Sequence, residues 1–293
     1  MKLGVIHFGP LTAGSHQIIQ TVVEYCLTKS ISLSGIKWNQ TTNDVELKEL
    51  NNDSILKWVN EREVMLNSLP IDKIKHQAKL IKLIDQFDSL VVLGGNRELV
   101  DFIIGNTKSN ILTVPISIIN DFIGTELSLG YDSALNVIVN NILKIQDTID
   151  SLKYGKLRVF CTQIPGVLYN SLLEDVSIAV KGQLIYKPNE MFWENLATTL
   201  KDRYDKGITY SMLVVNEEID PNEVHRRLSE KLDIDFKWNY IDESQCVGPF
   251  PTAIDRLLAV KFSDTIISWL SARGKSSHIL VKNNRVIVED SQK

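Results

Sequence analysis

At 293 residues the chain is long enough for two ordinary domains or one large α/β unit, and 44% hydrophobic with 23% charged residues reads as a soluble globular protein. A net charge of −4 gives no electrostatic footprint for nucleic acid, and the longest basic pair, Arg226–Arg227, reads as a solvated helix face. No apolar run approaches the ~18 residues of a membrane span; Cys26, Cys161 and Cys246 and the five histidines lie too far apart for a disulfide framework or a metal site, which points to a reducing cytoplasm.

The chain opens on a short apolar run, KLGVIHF (2–8), which reads as a first strand and not a signal peptide. In residues 15–29, Ile18, Ile19, Val22, Val23 and Cys26 share one helical face behind a Ser15 cap. WNQTTNDVELKELNNDS (38–54) is polar and reads as a surface excursion, and residues 71–86 as an amphipathic helix. SLVVLGG (89–95) is a buried strand ending in a glycine pair, RELVDFII (97–104) a helix, ILTVPI (111–116) a strand and residues 134–150 a long helix. In the second half, strands over 157–164, 183–188 and 210–217 alternate with helical segments. Residues 252–272 form another helix, and HILVKNNRVIVED a closing hairpin about Asn283–Asn284.

Strand–helix alternation predicts mostly parallel sheets flanked by helices, in two α/β lobes with a cleft between them. Residues 1–134 with about 252–275 are expected to form the larger lobe, and 135–251 with about 276–293 the smaller. Ligands of such sheets sit beyond the carboxyl ends of the strands. Three loops fall there: FGPLTAGSHQ (8–17), GGNREL (94–99) and PISIINDFIGTELSLGYDSA (115–134). Each of the first two is strand, glycines, helix, a pattern that can bring backbone N–H groups to a phosphate.

In this order the loops resemble those of the bacterial-type 6-phosphofructokinases, ATP- or pyrophosphate-dependent. The family's GGDAPGMNAAIR is similar to GPLTAGSHQIIQ, with Gly9 and Gly14 kept; its GGDGS to GGNRE, with Gly94 and Gly95 kept; its P-x-T-I-D-N-D-I-x-G-T-D to the third loop, matching Pro115, Ile118, Asn120, Asp121, Gly124, Thr125, Gly130 and Ala134. QIPGVLY (163–169) resembles E-x-M-G-R-x, and residues 247–270 resemble R-G-G-x-P-x-x-x-D-R-x-L-A and its helix. The resemblance implies the two-lobed three-layer phosphofructokinase fold, phosphoryl transfer to the 1-hydroxyl of fructose 6-phosphate with ATP or pyrophosphate and Mg2+, a dimeric or tetrameric assembly, and a place in glycolysis.

It also implies what is missing. The base aspartate falls on Ile119, the metal-associated aspartate on Asn96, and the glycine after it on Arg97. The M-G-R arginine falls on Val167, the R-G-G arginine on Val247, the phosphate-binding histidine on Ser244, and an acidic sugar contact on Asn189. Loss of a general base alone typically slows a reaction ~10²–10⁴-fold. No catalytic residue is therefore intact, with Asp121 the one candidate. The binding set implied is Gly9, Gly14, Gly94, Gly95 and Asn96 for cofactor, and Ser117, Asp121, Arg158 and Gly166 for substrate. Arg158 matches an arginine that reaches a neighbouring subunit's site, and Asp255–Arg256 reads as a structural ion pair. The leading expectation is a non-catalytic relative that binds a sugar phosphate, a nucleotide or a protein. Two alternatives stand beside it. One is a working phosphosugar kinase with Asp121 as base and Glu98 or Glu126 as metal ligand. The other is a structural subunit of an authentic phosphofructokinase.

Overall fold

Alternating side chains in the first strand decide the layering of the larger unit. In β1 (Lys2–His7), Leu3 and Val5 face one core and Ile6 the opposite one, so the sheet built around it is covered on both sides. The computed structural model describes residues 1–61, 63–71, 78–150, 155–247 and 250–291. These fall into two compact units, residues 1–132 with 249–293, and residues 133–248. Among the described residues no helix is long and apolar enough to cross a membrane.

The larger unit holds a seven-stranded sheet. Beside β1 it contains β2 (Ser32–Asn39), β3 (Asp44–Glu49), β4 (Ser89–Leu93), β5 (Asn110–Val114), β10 (Ser277–Lys282) and β11 (Arg285–Asp290), in the order β11-β10-β5-β4-β1-β2-β3. Five strands run parallel, and β3 and β11 close the edges antiparallel. Helices Ser15–Thr28 and Ala253–Ser271 cover one face with Ile18, Val22, Phe262 and Ile266; helices Ala78–Ile84 and Arg97–Asn106 cover the other with Ile84 and Ile103. Of the helix predicted over 71–86, residues 72–77 lie outside the described residues.

Three expectations change here. Residues 38–54 are not a surface excursion: they hold the end of β2, all of β3 and the start of helix Asn52–Glu61. The Asn- and Thr-rich centre is the hairpin turn, where Asn39 Oδ1 accepts from Thr41 N and Thr42 N and Asn43 takes φ 50°. The closing hairpin belongs to the larger sheet and not to the smaller lobe, since Ser277 and His278 pair with Leu112 and Thr113 of β5. Its turn residues Asn283 and Asn284 both have positive φ, as a two-residue hairpin of matching twist requires. Ser15 does not cap its helix. It is the first helical residue, and Gly14 holds the cap position with φ 96° and no side-chain bond.

The smaller unit is a four-stranded parallel sheet in the order β7-β8-β6-β9, formed by β6 (Leu157–Gln163), β7 (Gln183–Ile185), β8 (Tyr210–Val215) and β9 (Ile234–Tyr240). Its core joins Val159, Cys161, Leu196, Leu200, Leu213 and Val215. Helix Pro221–Ser229 carries the basic pair, which is neutralised locally: Arg226 reaches Glu223 and Glu230 at 2.6 Å, and Arg227 reaches Glu223 at 2.7 Å and Glu190 at 2.5 Å. All three cysteines are buried free thiols, and burial pushes those of Cys161 and Cys246 up to about 12, too high for reactive thiolate.

Candidate functional site

Because β1, β4 and β5 are adjacent and parallel, the loops that leave their carboxyl ends lie side by side. Backbone bonds stitch them together: Phe8 N donates to Leu93 O at 2.9 Å, and Gly94 N to Val114 O at 3.0 Å. Gly94 has φ 73°, and a Cβ there would stand 2.7 Å from Phe8 O and 3.2 Å from Ile116 O. Only glycine lets the three loops approach this closely.

In the first loop, His7 is fully buried and its Nε2 lies 3.1 Å from Ser15 Oγ, which in turn meets Thr12 Oγ1 at 2.9 Å. Burial, with a smaller contribution from His16, pushes the imidazole down to about 3. In the second loop, Asn96 is the N-cap of helix Arg97–Asn106, its Oδ1 accepting from Leu99 N at 3.0 Å. Arg97 is exposed and turns along the helix to Asp101, Nε to Oδ2 3.4 Å.

The third loop is braced from within. Ser117 Oγ donates to Asp121 Oδ1 at 2.6 Å and accepts from Ile119 N at 3.3 Å. Asn120 takes φ 56°, accepts from Ser128 N at 2.7 Å and donates to Glu126 O at 3.1 Å. The Glu126 carboxylate accepts from Asn283 N and Asn284 N in the β10–β11 turn, and Thr125 Oγ1 accepts from Val281 N. At the far end, Gly130 N donates to Asp255 Oδ1 at 2.8 Å, and Asp255 is wholly buried. Replacing it with alanine is expected to lower stability by about 2 kcal/mol, read by urea unfolding. An unchanged midpoint would show the bond to be dispensable.

The smaller unit assembles its own strand-end loops. Gly166, with φ 108°, donates its N–H to Glu217 Oε2 at 3.2 Å and accepts from Glu217 N at 3.0 Å; Tyr240 OH lies 3.4 Å from Glu217 Oε1. Val167, Leu168 and Tyr169 beside them are exposed. Glu217 escaped the sequence reading; its signal was a carboxylate two residues beyond the apolar strand YSMLVV. Asn189 caps helix Glu190–Asp205 through Phe192 N at 2.8 Å, and Ser244 Oγ donates to Asp242 Oδ1 at 2.5 Å. Arg158, on β6, pairs with Asp235 of β9 at 3.1 Å and covers the Phe160 ring, a placement tied to its own sheet. Gly9, Gly14, Gly94, Gly95, Asn96, Ser117 and Asp121 thus lie on the strand-end loops of the larger unit, and Arg158 and Gly166 belong to the smaller.

Residues 2–270 match the family model described as Phosphofructokinase. The ATP-dependent 6-phosphofructokinase of Lactobacillus gasseri is 24% identical over 298 residues, covering 99% of this chain and 92% of that protein. That of Lysinibacillus sphaericus is 26% identical over 300 residues, covering 99% and 92%. Among solved structures, Pichia pastoris phosphofructokinase in the T-state superposes with a TM-score of 0.76 at 18% identity, covering 99% of this chain; the chain spans 37% of that one's length. A pyrophosphate-dependent phosphofructokinase from Marinobacter aquaeolei gives 0.72 at 15% identity, covering 99% of this chain and 82% of that one.

Proposed function

From the premise that this chain belongs to the phosphofructokinase family, we propose that it is a non-catalytic member, which binds a sugar phosphate or nucleotide, or a protein partner, without transferring phosphate. The observation that carries the reading is the use to which the reactive positions are put. Phosphoryl transfer needs a base on the acceptor hydroxyl, a metal on the phosphates and fixed cations on the developing charge. At those positions stand Ile119, Asn96, and the aliphatic Val167 and Val247. Isoleucine has no proton acceptor. Asn96 is neutral and already holds Leu99 N. Of Glu98 and Glu126, the two carboxylates offered in its place, Glu126 is committed to the β10–β11 turn.

The donor set therefore does not fit a Mg2+ site. Among the described residues no group of three His, Cys, Asp or Glu side chains converges for a metal. Gly9, Gly14, Gly94, Gly95 and Asn96 form the proposed anion-facing wall in the larger unit, Ser117 and Asp121 line its third loop, and Gly166 belongs to the smaller unit. A homo-oligomer in the cytoplasm is the proposed setting, with an authentic phosphofructokinase as one candidate partner.

A second reading, a kinase with a rearranged site, is favoured by Asp121 alone, an exposed carboxylate whose neighbour is the Ser117 hydroxyl. The deciding experiment incubates the purified protein with fructose 6-phosphate and Mg2+, with ATP or pyrophosphate as donor. A family-typical turnover of about 1–100 s⁻¹ slowed ~10⁴-fold is still measurable at micromolar protein. The expected result is no product from folded protein. Product that follows the protein through purification and disappears in Asp121→Ala would overturn the proposal and establish the second reading.

A further inference from the structure

The Arg97–Asn106 helix leaves one flank open toward the β10–β11 hairpin, and a pocket of about 340 Å³ lies there. Leu280 and His278 come from β10, Val100 from the helix, and Phe122 with the exposed Ile123 from the third loop. This is a cavity of ligand size whose walls mix apolar and polar side chains.

Its charge is the informative property. Three carboxylates line it, Asp101, Glu289 and Asp290, against one cation, Arg97. That cation is already turned to Asp101 at 3.4 Å. Glu289 is paired with Lys282 at 2.6 Å and Asp290 accepts from Ser277 Oγ at 3.1 Å, which leaves both carboxylates further acceptor positions. His278 adds no positive charge: burial lowers its pKa, although Asp101 and Glu289 nearby oppose the shift, and its Nδ1 lies 2.8 Å from Thr113 Oγ1. With Arg97 on Asp101 and Lys282 on Glu289, two cations stand against three anions, which leaves a net charge of −1 centred on Asp290. A phosphate, carboxylate or nucleotide would meet repulsion here, so this pocket is chemically distinct from a phosphate site.

We infer that the pocket binds a small organic cation, an ammonium group on an apolar arm. The ammonium lies against Glu289, Asp290 and Asp101, and the arm against Val100, Phe122 and Leu280. An ammonium supplies three donors to carboxylates that have acceptor positions free, and the arm covers apolar surface now facing water. The inference stands whether or not phosphoryl transfer survives in this chain.

The test uses three probes of one shape and different charge: 2-phenylethylamine, 2-phenylethanol and 3-phenylpropionate. Each is titrated into the full chain at physiological salt, with binding read by calorimetry and by shifts of the backbone amide signals of residues 97–101 and 278–290. The amine is expected to bind about tenfold more tightly than the alcohol, and the acid not at all. The double variant Glu289→Gln/Asp290→Asn, both exposed on an edge strand, is expected to weaken the amine about tenfold with its melting temperature unchanged. Asp101→Asn, on a separate element, gives an independent second reading of the same loss. Equal binding of alcohol and amine, amine binding untouched by these variants, or no amine binding to folded protein would each overturn the inference.

Discussion

Acidification from pH 7 to pH 3.5 is expected to destabilise the larger unit by about 4 kcal/mol through His7 alone. The imidazole titrates near 6.5 in the unfolded chain and is pushed down to about 3 in the fold, chiefly by burial. Between those values the unfolded chain binds a proton that the folded chain refuses. Stability is therefore full above pH 6.5 and is lost as pH falls toward 3, with a slope of about 1.4 kcal/mol per pH unit. His16 and His278 are shifted downward too, also by burial, and act in the same direction. Urea unfolding at half-unit pH steps measures the slope, and His7→Gln, whose amide can still reach Ser15 but does not titrate, should lower it by about one proton's worth. A wild-type slope retained in that variant would place the acid sensitivity elsewhere.

The second large effect is expected from Gly94→Ala. Two penalties act together: a side chain at φ 73° costs about 1–2 kcal/mol, and a Cβ 2.7 Å from the Phe8 carbonyl oxygen must push backbone aside. A total of about 3 kcal/mol or more follows, with loss of any ligand response from all three strand-end loops. Gly124→Ala serves as the control in the same unit, because its φ is also positive at 89° but its nearest neighbour, Leu280 Cδ1, is in ordinary contact at 3.7 Å. It should show only the conformational penalty. Equal losses in the two variants, read by urea unfolding, would mean that the loops do not depend on their close approach.

What could be read from the sequence follows from the range over which each feature is determined. Helix faces such as Ile18, Val22 and Cys26, and buried strands such as SLVVL, declare themselves within a few residues. The glycine turns of the loops do so too, because backbone geometry there restricts the residue type. β9 gave no signal: in IDFKWNY the strand lies at a sheet edge and exposes Lys237, Trp238 and Tyr240, so no buried face alternates with a polar one. β3 was hidden for a similar reason, its burial alternating only weakly at an edge of the larger unit's sheet. The partners of site residues were out of reach altogether. Glu126 meets Asn283 across 157 positions and Gly166 meets Glu217 across 51, and no periodicity records such pairings. The hairpin was recognised from its Asn-Asn turn, yet its sheet depended on a pairing with β5 at His278 that only three dimensions reveal.

The bracing of the third loop has a consequence for how such a chain diverges. Its course is set by Asn120, Thr125, Glu126 and the Gly130–Asp255 bond, none of which involves the side chain at 119. Shape and chemistry are thus separately heritable within twenty residues. The side chain at position 119 can change without disturbing a single brace, so selection on folding alone would preserve the loop's outline. Ancestry can therefore stay legible in such a segment through its braces alone, whatever becomes of the reaction.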